Sequence, residues 1–431
     1  MSFLQIHVVR RGESLYGISN AYGISYEEVA EANELNDPSK LVVGQALVIP
    51  IEGQYHLVQP GQSLYTIAQL YGITVRELAN LNGLTEQAVL QIGQPLKVPA
   101  AEKRPVRSFL YVEPRSPVSS FMTEEVRRRA PDLTFLGMFS YEVQRDGSLK
   151  HPPTGDLLRI STEGGALNSL VVSNLEDFAF NADLAHAIFT NEAAQNQLFG
   201  NIIQIANDEG YKEVHFDFEL MHPEDRELYN AFLRKARDRM HQAGLKLSVA
   251  VAPKTSDVTT GIYGAFDYQV IGEIVDYVML MTYEWGYMYS DPQAVSPIGP
   301  VRDVVNYAIS VIPKEKVFLG QNLYGYDWQS PFPPSGGQPA QALSPQQALQ
   351  IAIDHQVEIR YDPVAQAPFF RYTDENGAFH EVWFEDARSI DAKFKLMKEL
   401  GIGGIMYWKL GLSFPQNWLL LRDQFNIAKL A

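Results

Sequence analysis

Cysteine is absent from the 431 residues, which excludes disulfides, thiolate metal sites and thiol nucleophiles and leaves the redox compartment unindicated. The amino terminus, Met1 to His7, has neither a charged region nor an apolar stretch of the kind that directs secretion, and no later run is long enough to span a bilayer. A conventional secretory route is therefore not expected. Basic residues are scarce: 35 Lys and Arg stand against 51 Asp and Glu, a net charge of −16. No face should attract nucleic acid or an anionic membrane, and the expected partner is neutral and hydrogen-bonding. What the chain has is length and apolar content, 46% hydrophobic with 11% aromatic, enough for a large core and more than one domain. The 22 Tyr, 22 Phe and five Trp would also suit stacking on sugars, although such side chains are mainly core.

The first hundred residues contain one module twice. Gly12 matches Gly61, Tyr22 matches Tyr71, Asn33 matches Asn82, Gly44 matches Gly93 and Pro50 matches Pro99, each pair 49 residues apart. In each copy a short β run (His7-Val8-Val9, His56-Leu57-Val58) leads through Gly-x-Ser-Leu-Tyr to a helix ending near Tyr-Gly, whose glycine suits a left-handed cap. Capping boxes, Ser25-x-x-Glu28 and Thr74-x-x-Glu77, open a second helix, and an apolar strand closes the unit at proline. The pattern predicts βααβ.

Through His-x-Val-x-x-Gly-x-Ser-Leu, Tyr-Gly-Ile, Leu-x-x-Asn and Gly-Gln-x-Leu-x-Val-Pro, both copies resemble the LysM domain, over residues 4–50 and 53–99. The resemblance implies binding of N-acetylglucosamine-containing glycans between the strand–helix and helix–strand loops, near Gly12 to Leu15, Asn36 to Leu41 and their second-copy equivalents such as Gly61. Two small structural modules are the blander alternative. Two tandem copies make sense as avidity for a repetitive polymer.

After a stretch read as a polar linker, Ala101 to Arg107, β-rich apolar runs alternate with helix-period segments, the pattern of a parallel α/β sheet. Eight strands are predicted: Phe109 to Glu113, Leu133 to Tyr141, Ser169 to Asn174, Glu213 to Glu219, Lys246 to Ala252, Tyr277 to Tyr283, Val317 to Tyr324 and Gly404 to Trp408. They fit a (β/α)8 TIM barrel over 106–431, with polar and aromatic residues at the carboxyl ends where such barrels keep their sites. A small α+β insertion is expected at about 336–385, including a hairpin from Phe369 to His380 with Asn376-Gly377 at its turn, forming one wall of the cleft. Truncation near Ala101 should then leave an independent, soluble barrel.

The fourth strand, Glu213-Val214-His215-Phe216-Asp217-Phe218-Glu219, puts His215, Asp217 and Glu219 on one face and Val214, Phe216 and Phe218 on the other. The residues alone leave open a buried polar layer or an ion-pair network. Here the sequence resembles family 18 glycoside hydrolases, whose D-x-x-D-x-D-x-E strand ends in the equivalents of Asp217 and Glu219, while Lys212 and His215 occupy its two earlier aspartate positions. Met281-Thr282-Tyr283-Glu284 is similar to the family's Met-x-Tyr-Asp strand end, and Met406-Tyr407-Trp408 to its last strand with a tryptophan floor.

The resemblance implies a substrate-assisted retaining mechanism without metal or cofactor. Glu219 would be the general acid/base, its pKa raised by neighbouring Asp217; Asp217 would stabilise the oxazolinium, and Tyr283 would hydrogen-bond the acetamido oxygen. Trp408 would stack under the sugar, with His215, Met281, Glu284 and Tyr111 also counted among the substrate-binding residues. His215 is expected to hydrogen-bond Asp217 and to set its charge state.

Tandem LysM modules, a family 18 barrel and Met-Thr-Tyr-Glu-Trp-Gly together resemble the group within that family that acts on spore cortex in endospore formers. What this implies is an N-acetylglucosaminidase working on cortex peptidoglycan fragments during germination, at the coat/cortex boundary, and a monomer. A chitinase and a catalytically inactive glycan-binding coat protein are the alternatives.

Overall fold

The structure, a computed structural model, describes residues 2–52, 55–99, 103–412 and 414–430, with the side chains of 2, 3 and 52 left aside. Each repeat is a two-stranded antiparallel sheet, Ser2–Val8 with Ala46–Glu52 and Tyr55–Leu57 with Pro95–Lys97. Two short helices lie between the strands, Leu15–Tyr22 and Tyr26–Ala32 in the first repeat and Leu64–Leu70 and Val75–Leu81 in the second. Both predicted capping boxes are made, and Gly23 closes the first helix in the left-handed region at φ 68°. The asparagine of Leu-x-x-Asn is a brace. Asn33 donates to the Val29 and Val48 carbonyls and accepts from the Val48 N–H, each at 2.8 Å, tying the second helix to the closing strand. Asn82 does the same with Leu78 and Lys97.

All eight predicted strands form one closed parallel barrel: Arg104–Val112, Phe135–Val143, Leu167–Ser173, Glu213–Asp217, Lys246–Val251, Tyr277–Leu280, Val317–Asn322 and Gly404–Trp408. Pairing of the first strand with both the second and the eighth closes it. Alternation decides what faces where. Val214, Phe216 and Phe218 join the core beneath the surrounding helices, while Phe109, Tyr111, Val171, Met279, Phe318 and Met406 fill the interior.

Two expectations change. The first barrel strand begins at Arg104 and pairs there with Phe425–Ile427, so Arg104 to Arg107 belong to the sheet and not to a linker; Ala101 lies outside the described residues. The inserted sheet begins at Gly325, ahead of 336, because Gly325–Gln329 leaves the barrel after strand seven and pairs with both Gln341–Leu343 and Phe379–Trp383. Strands Ala367–Thr373 and Arg360–Asp362 complete five, with helix Pro345–Asp354 against them. The hairpin turns through Asp374 to Ala378, with Gly377 at φ 83°.

The first repeat is docked on the barrel and its insertion. Val42 is buried among Leu343, Ala348, Ile359 and Phe370 of the insertion, and Ala46 and Val48 join the barrel's outer core. Main chain seals the seam: Ile359 N–H donates to the Val43 carbonyl at 2.9 Å, and Arg388 donates to the Gly44 carbonyl at 3.0 Å. A side chain at Gly44 would put its Cβ 1.8 Å from the Ile359 carbonyl oxygen. The first repeat and the barrel domain therefore share a buried seam.

Candidate active site

The fourth strand ends as its alternation predicts. His215 and Asp217 are buried on the interior face, and Glu219 lies just beyond the strand, partly exposed. Its backbone is clamped by a residue the sequence reading missed: Asn174, at the carboxyl end of strand three, accepts from the Glu219 N–H and donates to the Glu219 carbonyl, both at 2.9 Å. An asparagine at the carboxyl end of a predicted barrel strand was the available signal. Burial raises the Glu219 pKa well above the ordinary value, and the charges of Asp217 and Glu284 push it further. Burial raises Asp217 as well. One Asp217 oxygen, Oδ1, is buried without a hydrogen-bond partner, an acceptor awaiting a donor.

His215 does not contact Asp217 by hydrogen bond. Its Nε2 lies 2.7 Å from the Tyr111 hydroxyl and its Nδ1 2.6 Å from the Ser248 hydroxyl. Burial pushes its pKa down to about 3, so the ring is neutral and cannot set the charge of Asp217 as expected. His215 and Tyr111 are 0% and 1% exposed, so both lie beneath the site and not on the sugar-contacting surface. Strand alternation gave the face but could not say which neighbours reach the ring. Ser248, from strand five, was not singled out.

Tyr283 follows strand six, half-buried, its hydroxyl 4.0 Å from the Met406 sulfur. Thr282 anchors it, donating to the Gly320 carbonyl at 2.7 Å and accepting from Ser296 through its own carbonyl at 2.6 Å. Gly320 leaves room: a Cβ there would approach the Leu280 carbonyl oxygen to 2.2 Å and the Tyr283 ring to 3.1 Å. Met281 is half-buried, packed between interior and outer core. Trp408 is half-buried at the end of strand eight, with the edges of Tyr111 and Phe139 against it at centroid distances of 5.2 and 4.9 Å.

Glu284 sits at φ 67° on an exposed stretch of chain, yet its carboxylate is held from the insertion side. The Tyr324 hydroxyl donates to Oε1, and the Tyr326 hydroxyl lies 3.0 and 3.3 Å from the two oxygens. Desolvation raises its pKa, and the two tyrosine hydroxyls oppose the rise. The charges of Asp217 and Glu284 thus both bear on Glu219 and favour its protonated form. Gly12, Asn36 and Gly61 are in the LysM loops, apart from these strand ends; Asn36 donates to Gln350 of the insertion at 3.3 Å.

The family model for glycosyl hydrolases family 18 matches residues 181–412, and the LysM model matches residues 7–50 and 56–99. The cortical fragment-lytic enzyme of Bacillus subtilis (strain 168) is 56% identical, covering 99% of each chain, and that of Bacillus anthracis is 50% identical over the same shares. Among solved structures, the Bacillus cereus spore cortex-lytic enzyme SleL superposes with a TM-score of 0.91 at 47% identity over 99% of both chains. A chitinase from Chromobacterium violaceum, 24% identical with a TM-score of 0.68, covers 74% of this chain and 98% of its own, and shares the fold alone.

Proposed function

The chain belongs to glycosyl hydrolase family 18, and from that premise we propose an N-acetylglucosaminidase that cleaves spore cortex peptidoglycan fragments during germination. The observation that carries the chemistry is the placement of Glu219, its backbone clamped by Asn174 at the carboxyl end of the barrel and its pKa raised well above the ordinary value, beside a buried Asp217 whose Oδ1 has no partner. Glu219 donates its proton to the glycosidic oxygen as the bond to the anomeric carbon breaks. The substrate's own acetamido oxygen closes on that carbon from the opposite face, giving an oxazolinium and conserving configuration once water opens it. Asp217 accepts the acetamido N–H and offsets the positive charge; Tyr283 donates to the acetamido oxygen; Trp408 supports the ring. Glu219, now a carboxylate, takes the proton from the attacking water. His215 and Tyr111 act from below, holding the wall on which Trp408 rests. The LysM repeats hold the glycan, and the relatives' association with spore cortex supports a location at the coat/cortex boundary.

The test is mass analysis of products from purified cortical fragments and from chitin oligomers. Fragments ending in reducing N-acetylglucosamine, absent with Glu219→Gln, are expected from cortex. Release from chitin oligomers alone would replace this reading by a chitinase, and no release from either would leave a glycan-binding protein.

A further inference from the structure

The two repeats are alike in sequence and unlike in surroundings. In the second, the loop before the closing strand stands in solvent, with Val89 93% and Ile92 68% exposed. The matching residues of the first repeat, Lys40 and Val43, face the inserted domain. Between them lies a cleft of about 580 Å³, a size suited to part of an oligosaccharide. One wall carries Arg11 from the strand–helix turn and Lys40 from the loop ahead of the closing strand; the other carries Asp354 and Glu358, at and beyond the end of helix Pro345–Asp354.

The walls are opposite in charge and do not neutralise each other. Lys40 pairs within its own loop with Asp37 at 3.3 Å, and Asp354 accepts from Gln350 of its own helix at 2.8 Å. Among the described residues no ion pair crosses the cleft. A neutral sugar strand would match the charge of neither wall, whereas a stem bearing both signs complements both walls.

We propose that this cleft binds the peptide-bearing part of an N-acetylated glycan, with Arg11 and Lys40 receiving a stem carboxylate and Asp354 and Glu358 a stem ammonium. The inference rests on the reading of peptidoglycan as substrate. Because the repeat is docked through Val42 and the Ile359–Val43 hydrogen bond, a glycan seated here is held at a fixed place relative to the barrel. The second repeat, its loop exposed, binds without that selectivity.

Two probes decide it: a disaccharide carrying a tetrapeptide stem with a diamino acid, and the stem-free hexamer of N-acetylglucosamine. Each is titrated calorimetrically into the full-length chain carrying Glu219→Gln, so that turnover does not interfere. Asp354→Asn with Glu358→Gln should weaken the stem-bearing probe roughly three- to tenfold, the scale of two partly exposed ion pairs, and leave the hexamer unchanged. The loss should shrink at high salt. Arg11→Gln should give the same selective loss. All four side chains are solvent-facing, and melting curves confirm folding. Unchanged affinity for both probes, or equal loss for both, would overturn the proposal. Product analysis of the wild-type chain is read separately, so a wrong activity and a wrong binding site give different results.

Discussion

Tyr111 and His215 meet at 2.7 Å inside the barrel, hydroxyl to Nε2, and the other ring nitrogen of His215 is taken by Ser248. Where the family's pattern has an aspartate beside Asp217, this chain has a neutral ring held by strand one across the barrel and by the adjacent strand five. His215→Gln should therefore leave both limbs of the pH–rate profile where they are, while costing about 1–3 kcal/mol of stability through unsatisfied buried hydroxyls. A shifted limb in a folded variant would return His215 to the titrating set.

The same residue makes a thermodynamic prediction. Its folded pKa is depressed from 6.5 to about 3, so the unfolded chain binds the proton first on acidification. The His215 contribution is fully present above pH 6.5 and is lost progressively as the pH falls toward 3. Denaturant melts across that range should show a shallower acid decline for His215→Gln than for the wild type.

Glu213, at the amino end of strand four, gives the opposite slope. It is fully buried, and burial raises its pKa from 4.5 to about 8, a rise that the neighbouring Ser248 and Ser169 hydroxyls only partly oppose. Here the folded chain holds the proton longer, so stability is full below pH 4.5 and falls as the pH rises to about 8. Glu213→Gln should change little at pH 4 and stabilise the protein at pH 8. Equal stability of the two proteins at pH 8 would show that Glu213 has a counter-charge after all.

Tyr326→Phe removes a donor that holds the Glu284 pKa down. Glu284 then keeps its proton to higher pH, repels the Glu219 carboxylate less, and lowers the Glu219 pKa. The alkaline limb of the activity profile should move to lower pH. Movement in the other direction would mean that Glu284 is not coupled to the acid.

Docking of the first repeat is testable by Val42→Asp, which places a charge among the insertion's apolar side chains and should cost about 2–4 kcal/mol. Removal of residues 1–99 should also lower the melting temperature of the barrel, by exposing the partners of Ala46 and Val48. Identical melting of the truncated and full-length chains would show that the seam contributes nothing.

Local pattern determined much of this protein. The 49-residue repeat, the capping boxes and the two-residue alternation of Glu213 to Glu219 are written in neighbouring positions, and they gave the βααβ units, the eight strands and the face on which Asp217 points. Partners distant in the chain were decided by tertiary structure alone. Nothing near His215 in sequence says that Tyr111 and Ser248 will reach its ring, nothing near Glu219 points to Asn174, and nothing near Glu284 points to Tyr324 and Tyr326. The two LysM copies share a fold because they share a pattern; the first is buried against the insertion through Val42, where the second copy has Gln91. Periodicity sets which way a side chain faces, whereas closure of the barrel and docking of the repeat set what it meets there.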